Sequence, residues 1–285
     1  MSSGFLQFRR RLVDYAATFT AAFLSAIVVG TLVAIFDYLL IKGAGSVNWA
    51  FLSHAPKSVG EIGGRMVNAI VGSALILGMA SLIGIPFGIG AGIYLAEYGR
   101  NRLGAFVRFT ADVLNGVPSI VIGLVAYGLV VFTQGHFSAF AGGVALAIMM
   151  VPMVARTTEE MLLLVPQAVR EAAFGLGIPQ WRTTISITLA SARAGILTGI
   201  MLAFARVAGE TAPLMFTALG NQFWSFSPNQ PIAAVPLQIY TYALSPYDDW
   251  HRQAWAAALV LVALIVGTIS LVRFVFARST LREAR

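Results

Sequence analysis

A chain of 285 residues in which 58% are hydrophobic and only 11% are charged cannot carry a water-soluble surface, because a soluble domain keeps about a quarter of its residues charged and avoids large exposed apolar patches. A mean hydropathy of +0.80 places it in a bilayer instead. The excess of 19 Lys+Arg over 12 Asp+Glu forms no long cluster and so is no nucleic-acid footprint, and with no cysteine there is no disulfide framework, thiolate metal site or cysteine nucleophile.

A membrane-crossing helix needs roughly 20 apolar residues, and the charge-free stretches predict six of them. The first runs from about Ala16 to Leu40, behind the basic group Arg9-Arg10-Arg11. Its apolar run is too long for a signal peptide, so it reads as a retained helix. The second lies between Arg65 and Glu97, with a bend expected at Pro86. The stretch from Val113 to Ala155 is long enough for two spans joined by a turn at Thr133-Gln134-Gly135-His136. A fifth span is predicted from about Ala194 to Leu219, with Arg206 and Glu210 inside it, and a sixth from Ala254 to Val272. The apolar piece from Ile232 to Ala243 is too short to cross and should lie at the interface or dip in and return.

Orientation follows from the basic residues, which favour the cytoplasmic side. Placing Arg9, Arg10 and Arg11 there brings Arg100, Arg102, Arg108, Arg156, Arg170, Arg182, Arg193 and the C-terminal arginines to the same side, against Lys42, Lys57, Arg65 and Arg252 outside. Both termini are then expected in the cytoplasm, and the loop between Arg156 and Arg193 becomes the longest cytoplasmic segment.

Several chemistries are missing. A P-loop needs a lysine at the phosphates, and neither Lys42 nor Lys57 has that context. Gly84, Gly88 and Gly92 follow no strand and read as a small-residue helix-packing face rather than a nucleotide loop. His54, His136 and His251 fall in outer loops or turns, and the Asp248, Asp249, His251 group reads as a solvated loop rather than a metal site. Adjacent Glu159 and Glu160 do not face one another on a helix, so no hydrolase constellation and no catalytic residue emerges.

Two features carry information. The first is the segment from Pro166 to Pro179, where proline suits a helix start, Gly177 suits its end and Pro179 prevents continuation. On this short helix Val169, Ala172, Ala173 and Leu176 share one face, flanked by Arg170 and Glu171. Two of those four are alanines, so the face either packs on its own protein or admits another surface closely.

The second feature is Arg206-Val-Ala-Gly-Glu210-Thr211-Ala-Pro213. A charge at mid-bilayer costs about 2.5 to 3.5 kcal/mol on insertion scales. Arg206 and Glu210 at i, i+4 can pair as a packing device, or the guanidinium can line an anion path, its fork matching phosphate or carboxylate oxygens. Pro213 is expected to free the Gly209 carbonyl within the span, and a broken helix beside a charge marks many transport sites.

Glu171-Ala172-Ala173, then Gly177, then Ile187-x-Leu189 resembles the EAA signature of permease subunits in ATP-binding-cassette importers. Asn115-Gly-Val-Pro118-Ser119, Ala208-Gly-Glu-Thr-Ala-Pro-Leu214 and Gly220-Asn221-Gln222-Phe223-Trp224-Ser225 are similar to the phosphate-specific branch, and the likeness extends from Met66 to Ala277. One departure is Ala190, where the generic pattern has proline, which weakens the expected kink after the loop.

The resemblance implies an all-α permease fold with six transmembrane helices. Residues 1–65 would form an added helix and outer loop, 66–277 the permease domain with its coupling loop at 166–190, and 278–285 a cytoplasmic tail. It implies a transport subunit of the inner or plasma membrane, not an enzyme, that pairs with a sister permease on an ATPase dimer and receives phosphate from an extracytoplasmic binding protein. ATP and Mg would be bound by the partner ATPase. Arg170, Glu171, Ala172, Ala173 and Gly177 would couple to that ATPase, and Arg206, Glu210 and Thr211 would line the substrate path. The alternatives are a permease for another oxyanion, such as sulfate or tungstate, and an ATP-independent secondary anion transporter.

Overall fold

Each apolar run becomes a helix, and the breaks fall where proline or glycine interrupts the hydrogen-bond ladder. The computed structural model describes residues 3–54, 56 and 66–283. Lys57 and Arg65, expected outside, and Arg285 of the tail lie outside the described residues. Thirteen α-helices and no β-strand are found among the described residues, with a lone bridge between Leu219 and Ile232.

Helix α1 (Ser3–Gly43) is continuous through Arg9-Arg10-Arg11 and packs along the last helix. A short α2 (Trp49–Ser53), capped by the Asn48 side chain, precedes α3 (Val67–Glu97), which contains Pro86. Helix α4 (Arg102–Gly116) then ends, and α5 (Ser119–Ala126) starts at an angle of 109° to it. The third span was expected to begin at Val113. Val113 lies instead inside α4, and the chain breaks at Val117, because Pro118 has no N–H to continue the ladder and holds Val117 extended. Helix α5 continues through a π-helical turn at Tyr127–Val131 into α6 (Phe132–Gln134), which Gly135 closes with φ +74°. The expected turn at Thr133 to His136 is therefore present.

Helix α7 (Ala139–Leu163) opens on a Ser138 cap and carries Arg156 within it, so the segment joining it to the next long helix is shorter than expected. That segment is α8 (Gln167–Gly175), followed by α9 (Gln180–Thr183), a π-helical turn at Thr184–Thr188 and α10 (Leu189–Ala208). These last three form one rod from Gln180 to Ala208. The fifth span thus sits about a dozen residues earlier than the predicted Ala194 to Leu219, and Arg193, expected in the loop, lies inside it. The rod stops because Gly209 and Glu210 turn back onto the Arg206 and Val207 carbonyls at 3.3 and 3.2 Å. Pro213 does not kink a continuing helix. It sits in the first turn of a separate short α11 (Ala212–Met215), where its missing N–H costs nothing.

The apolar piece from Ile232 to Ala243 is buried in protein over its first half, Ile232 to Gln238, and exposed at Tyr240, Thr241 and Ala243. Ala233 lies against Gly72, and α12 (Val235–Ala243) packs on α3 and on α13 (Asp248–Glu283). Helix α13 begins before the expected Ala254 and absorbs part of the tail. Asp248, Asp249 and His251 are in its first turns rather than in a loop, Asp249 accepting from Gln253 and Arg252. No group of three metal-ligating side chains is found among the described residues.

Five helices are long and apolar enough to cross a membrane, and the bent α4 to α6 pair adds a sixth if counted as one span. At the centre, α3 and α7 form the most extensive helix pair. Gly84 and Gly92 bring the backbones so close that a Cβ would stand 2.9 Å from the Met150 Cβ and 2.5 Å from the Thr158 Cβ. The packing reading of these glycines holds, and α10 repeats the device, with Gly195 and Gly199 against Met161 and Thr157 of α7.

Candidate functional site: an arginine at a helix break and a short exposed helix

The end of α10 and the start of α11 bring Arg206, Glu210 and Thr211 together. Arg206 Nε stands 3.9 Å from Glu210 Oε1, beyond hydrogen-bond reach. The Arg206 side chain is 48% exposed and that of Glu210 20%. In this single chain Arg206 is therefore not the buried base the sequence suggested. The helix ends two residues after it, so it sits at the rim of the α10 terminus and on the surface of the subunit. Being so loosely paired, it keeps most of its guanidinium donors open toward whatever lies beyond that face.

Helix α8, where coupling was expected from the sequence, is built by local chemistry. Pro166 supplies the extended entry residue, α8 runs for two and a half turns, and Gly177 exits with φ +78°, a conformation that favours glycine. Ala173 turns inward and is buried, whereas Glu171 and Ala172 face out. Leu176 is 80% exposed, and Phe174 and Val169 are also uncovered. Val169, Phe174 and Leu176 thus form an uncovered apolar edge on α8. Arg170 behaves differently from its neighbours. Its side chain is only 12% exposed and turns back into the chain, donating to Glu97 Oε1 at 3.0 Å and to the Leu162 and Val165 carbonyls at 2.8 and 3.2 Å.

Close by is a charged cluster that the sequence reading did not single out. Glu159, 2% exposed, accepts from Arg108 Nε of α4 and from Arg156 Nη1 at 2.7 Å. Arg156 also pairs with Asp112 at 3.0 Å, and Arg108 donates to the Leu95 and Gly99 carbonyls at the end of α3. The i, i+3 spacing of Arg156 and Glu159 was the available signal. The spacing alone does not show that Arg108, fifty-one residues earlier, completes the cluster. Here it is a structural acceptor, buried because two guanidiniums satisfy it.

The order of long helices, with the bent α4 to α6 pair and the short α8 between α7 and α10, is the fold of an ABC importer permease. Over 75% of this chain and 94% of the other, the fold superposes with a TM-score of 0.58 and 18% identity on a chain of the MetNI methionine ABC transporter in an inward-facing conformation. An amino acid ABC transporter gives 0.52 at 19% identity. Residues 84–280 match the family of binding-protein-dependent transport system inner membrane components. The phosphate transport system permease protein PstA of Yersinia pestis is 48% identical over 238 residues, 83% of this chain and 81% of that protein. The PstA of Pasteurella multocida is 50% identical over 229 residues (80% and 81%), and PstA 1 of Mycobacterium tuberculosis H37Rv is 37% identical over 288 (96% and 91%). The chain belongs to the PstA family of phosphate transport system permeases. It is thus a multi-pass inner-membrane component and the permease, not the ATPase, of its system.

Proposed function

We propose that this chain forms one half of the route by which inorganic phosphate is imported, with Arg206 as its anion-contacting group. The observation that carries this is the loose Arg206 and Glu210 pair, held on an uncovered face at a helix break. A closed, buried ion pair would serve packing alone. An open one leaves a forked cation available to a tetrahedral oxyanion, while Glu210 and Thr211 beside it orient the guanidinium and keep the anion from binding irreversibly. The covering partner is a sister permease of the PstC kind, so that the path lies between two subunits.

In the same reading, the uncovered face of α8 docks on an ATPase of the PstB kind, which binds ATP and Mg as a dimer. Phosphate arrives from an extracytoplasmic binding protein of the PstS kind. Both termini and α8 lie in the cytoplasm, as the distribution of arginines requires. Nucleotide-driven closure of the ATPase then moves α8 and opens the path between the two permeases, beside Arg206, to one side of the membrane after the other.

The test is radiolabelled phosphate uptake by the Arg206→Gln complex. Loss of uptake with all subunits still co-purifying supports the reading. Uptake at the parental rate leaves Arg206 only a packing role.

A further inference from the structure

The end of α3 is an unusual meeting point of negative charge. Its last carbonyls form the negative pole of the helix, Glu97 adds a carboxylate there, and the C-terminal end of α7 converges on the same spot. Arg170, from α8, enters this junction. One of its nitrogens spans Glu97 and the Leu162 carbonyl, and another takes the Val165 carbonyl. Both charged partners are nearly enclosed, Arg170 at 12% and Glu97 at 8% exposure.

Helix α8 is tied to α7 covalently, through only three intervening residues. Nothing covalent ties it to α3, more than sixty residues upstream. The Arg170 and Glu97 pair is that link. Because α3 and α7 interlock through Gly84, Gly88 and Gly92, a guanidinium that grips both helix ends makes α8 move with the pair as one body. Removing either partner leaves a buried charge uncompensated, which is far less tolerable than the loss of a surface pair.

We infer that Arg170 and Glu97 form the joint through which displacement of α8 reaches α3. Arg170 is a positioning residue acting on the membrane helices, not a contact to the ATPase. This rests on the docking of α8 proposed above. Docking itself is read by co-purification of the ATPase, and the joint by what happens after docking, so the two can fail separately.

The experiment uses the complete transporter in proteoliposomes, with Arg170→Gln, Glu97→Gln and the double variant. The expected result is parental co-purification of the ATPase in all three. Phosphate uptake, and the stimulation of ATP hydrolysis by phosphate-loaded binding protein, should fall about tenfold or more, the middle of the usual range for a coupling between sites. The double variant should be no worse than the worse single one, because both remove the same contact. Parental stimulation and uptake in Arg170→Gln would overturn the joint. So would additive losses in the double variant, or loss of the ATPase from the Arg170→Gln complex, which would return Arg170 to docking. Should Arg170→Gln fail to accumulate, Glu97→Gln decides alone, since Glu97 lies on α3 and away from the uncovered face of α8. Parental stimulation in that variant overturns the proposal, and a tenfold loss with the ATPase retained sustains it.

Discussion

Gly88 of α3 approaches Val154 of α7 so closely that a Cβ at position 88 would stand 2.6 Å from the Val154 Cβ. Two residues on, a Cβ at Gly90 would meet nothing within 4 Å. The two positions separate helix propensity from packing. Alanine gains up to about 1 kcal/mol over glycine within a helix, and forced overpacking costs about 1 to 3 kcal/mol. Gly90→Ala is therefore expected to hold or raise the thermal midpoint in detergent, and Gly88→Ala to lower it. A Gly88→Ala protein as stable as Gly90→Ala would mean that α3 and α7 can separate freely.

This glycine face was legible in the sequence because a four-residue repeat of small residues has one common use between membrane helices. The short helix α8 was legible for the same kind of reason, since Pro166, Gly177 and Pro179 each act locally. Span boundaries were less so. Hydropathy averages over a window and does not register that Pro118 turns the chain by 109°, or that Gly209 ends a helix beside Glu210. The direction of Arg170 was not legible at all. It depends on Glu97, brought beside it only when α3 and α7 pack.

Glu159 offers a second test of stability, with an internal control beside it. It is enclosed and accepts from Arg108 and Arg156, whereas Glu160 is exposed. Breaking a buried pair costs about 3 to 5 kcal/mol, and the partial exposure of both arginines puts this case at the lower end, about 3 kcal/mol. Glu159→Gln should lower the thermal midpoint by several degrees and Glu160→Gln should leave it within error. Equal midpoints for the two variants would show that the arginines find water instead.

Glu210 tests the substrate side. If it weakens the hold of Arg206 on a divalent anion, Glu210→Gln should lower KM for phosphate and lower kcat with it, because an anion held more tightly in the path is released more slowly. Uptake kinetics over a range of phosphate concentrations read both. A raised KM at unchanged kcat would mean that Glu210 assists binding, contrary to the role given to it here.

The docking proposed for α8 is open to a direct challenge at Glu171 and at Gly177 just beyond the helix. Glu171 is exposed, so Glu171→Arg reverses a charge at the contact without disturbing the fold. Gly177 has φ +78°, and Gly177→Asp adds a carboxylate where the chain leaves α8, at a backbone cost of about 1 kcal/mol, since aspartate tolerates this region better than most residues. Neither change touches the Arg170 contacts to Glu97, Leu162 and Val165, so the permease itself should accumulate in the membrane. The double variant is expected to lose the ATPase on purification in mild detergent, and with it ATP-dependent uptake. Retention of the ATPase at the parental ratio, with hydrolysis still stimulated by the binding protein, would place the contact elsewhere. The exposed Leu176 and Phe174 would then need another partner.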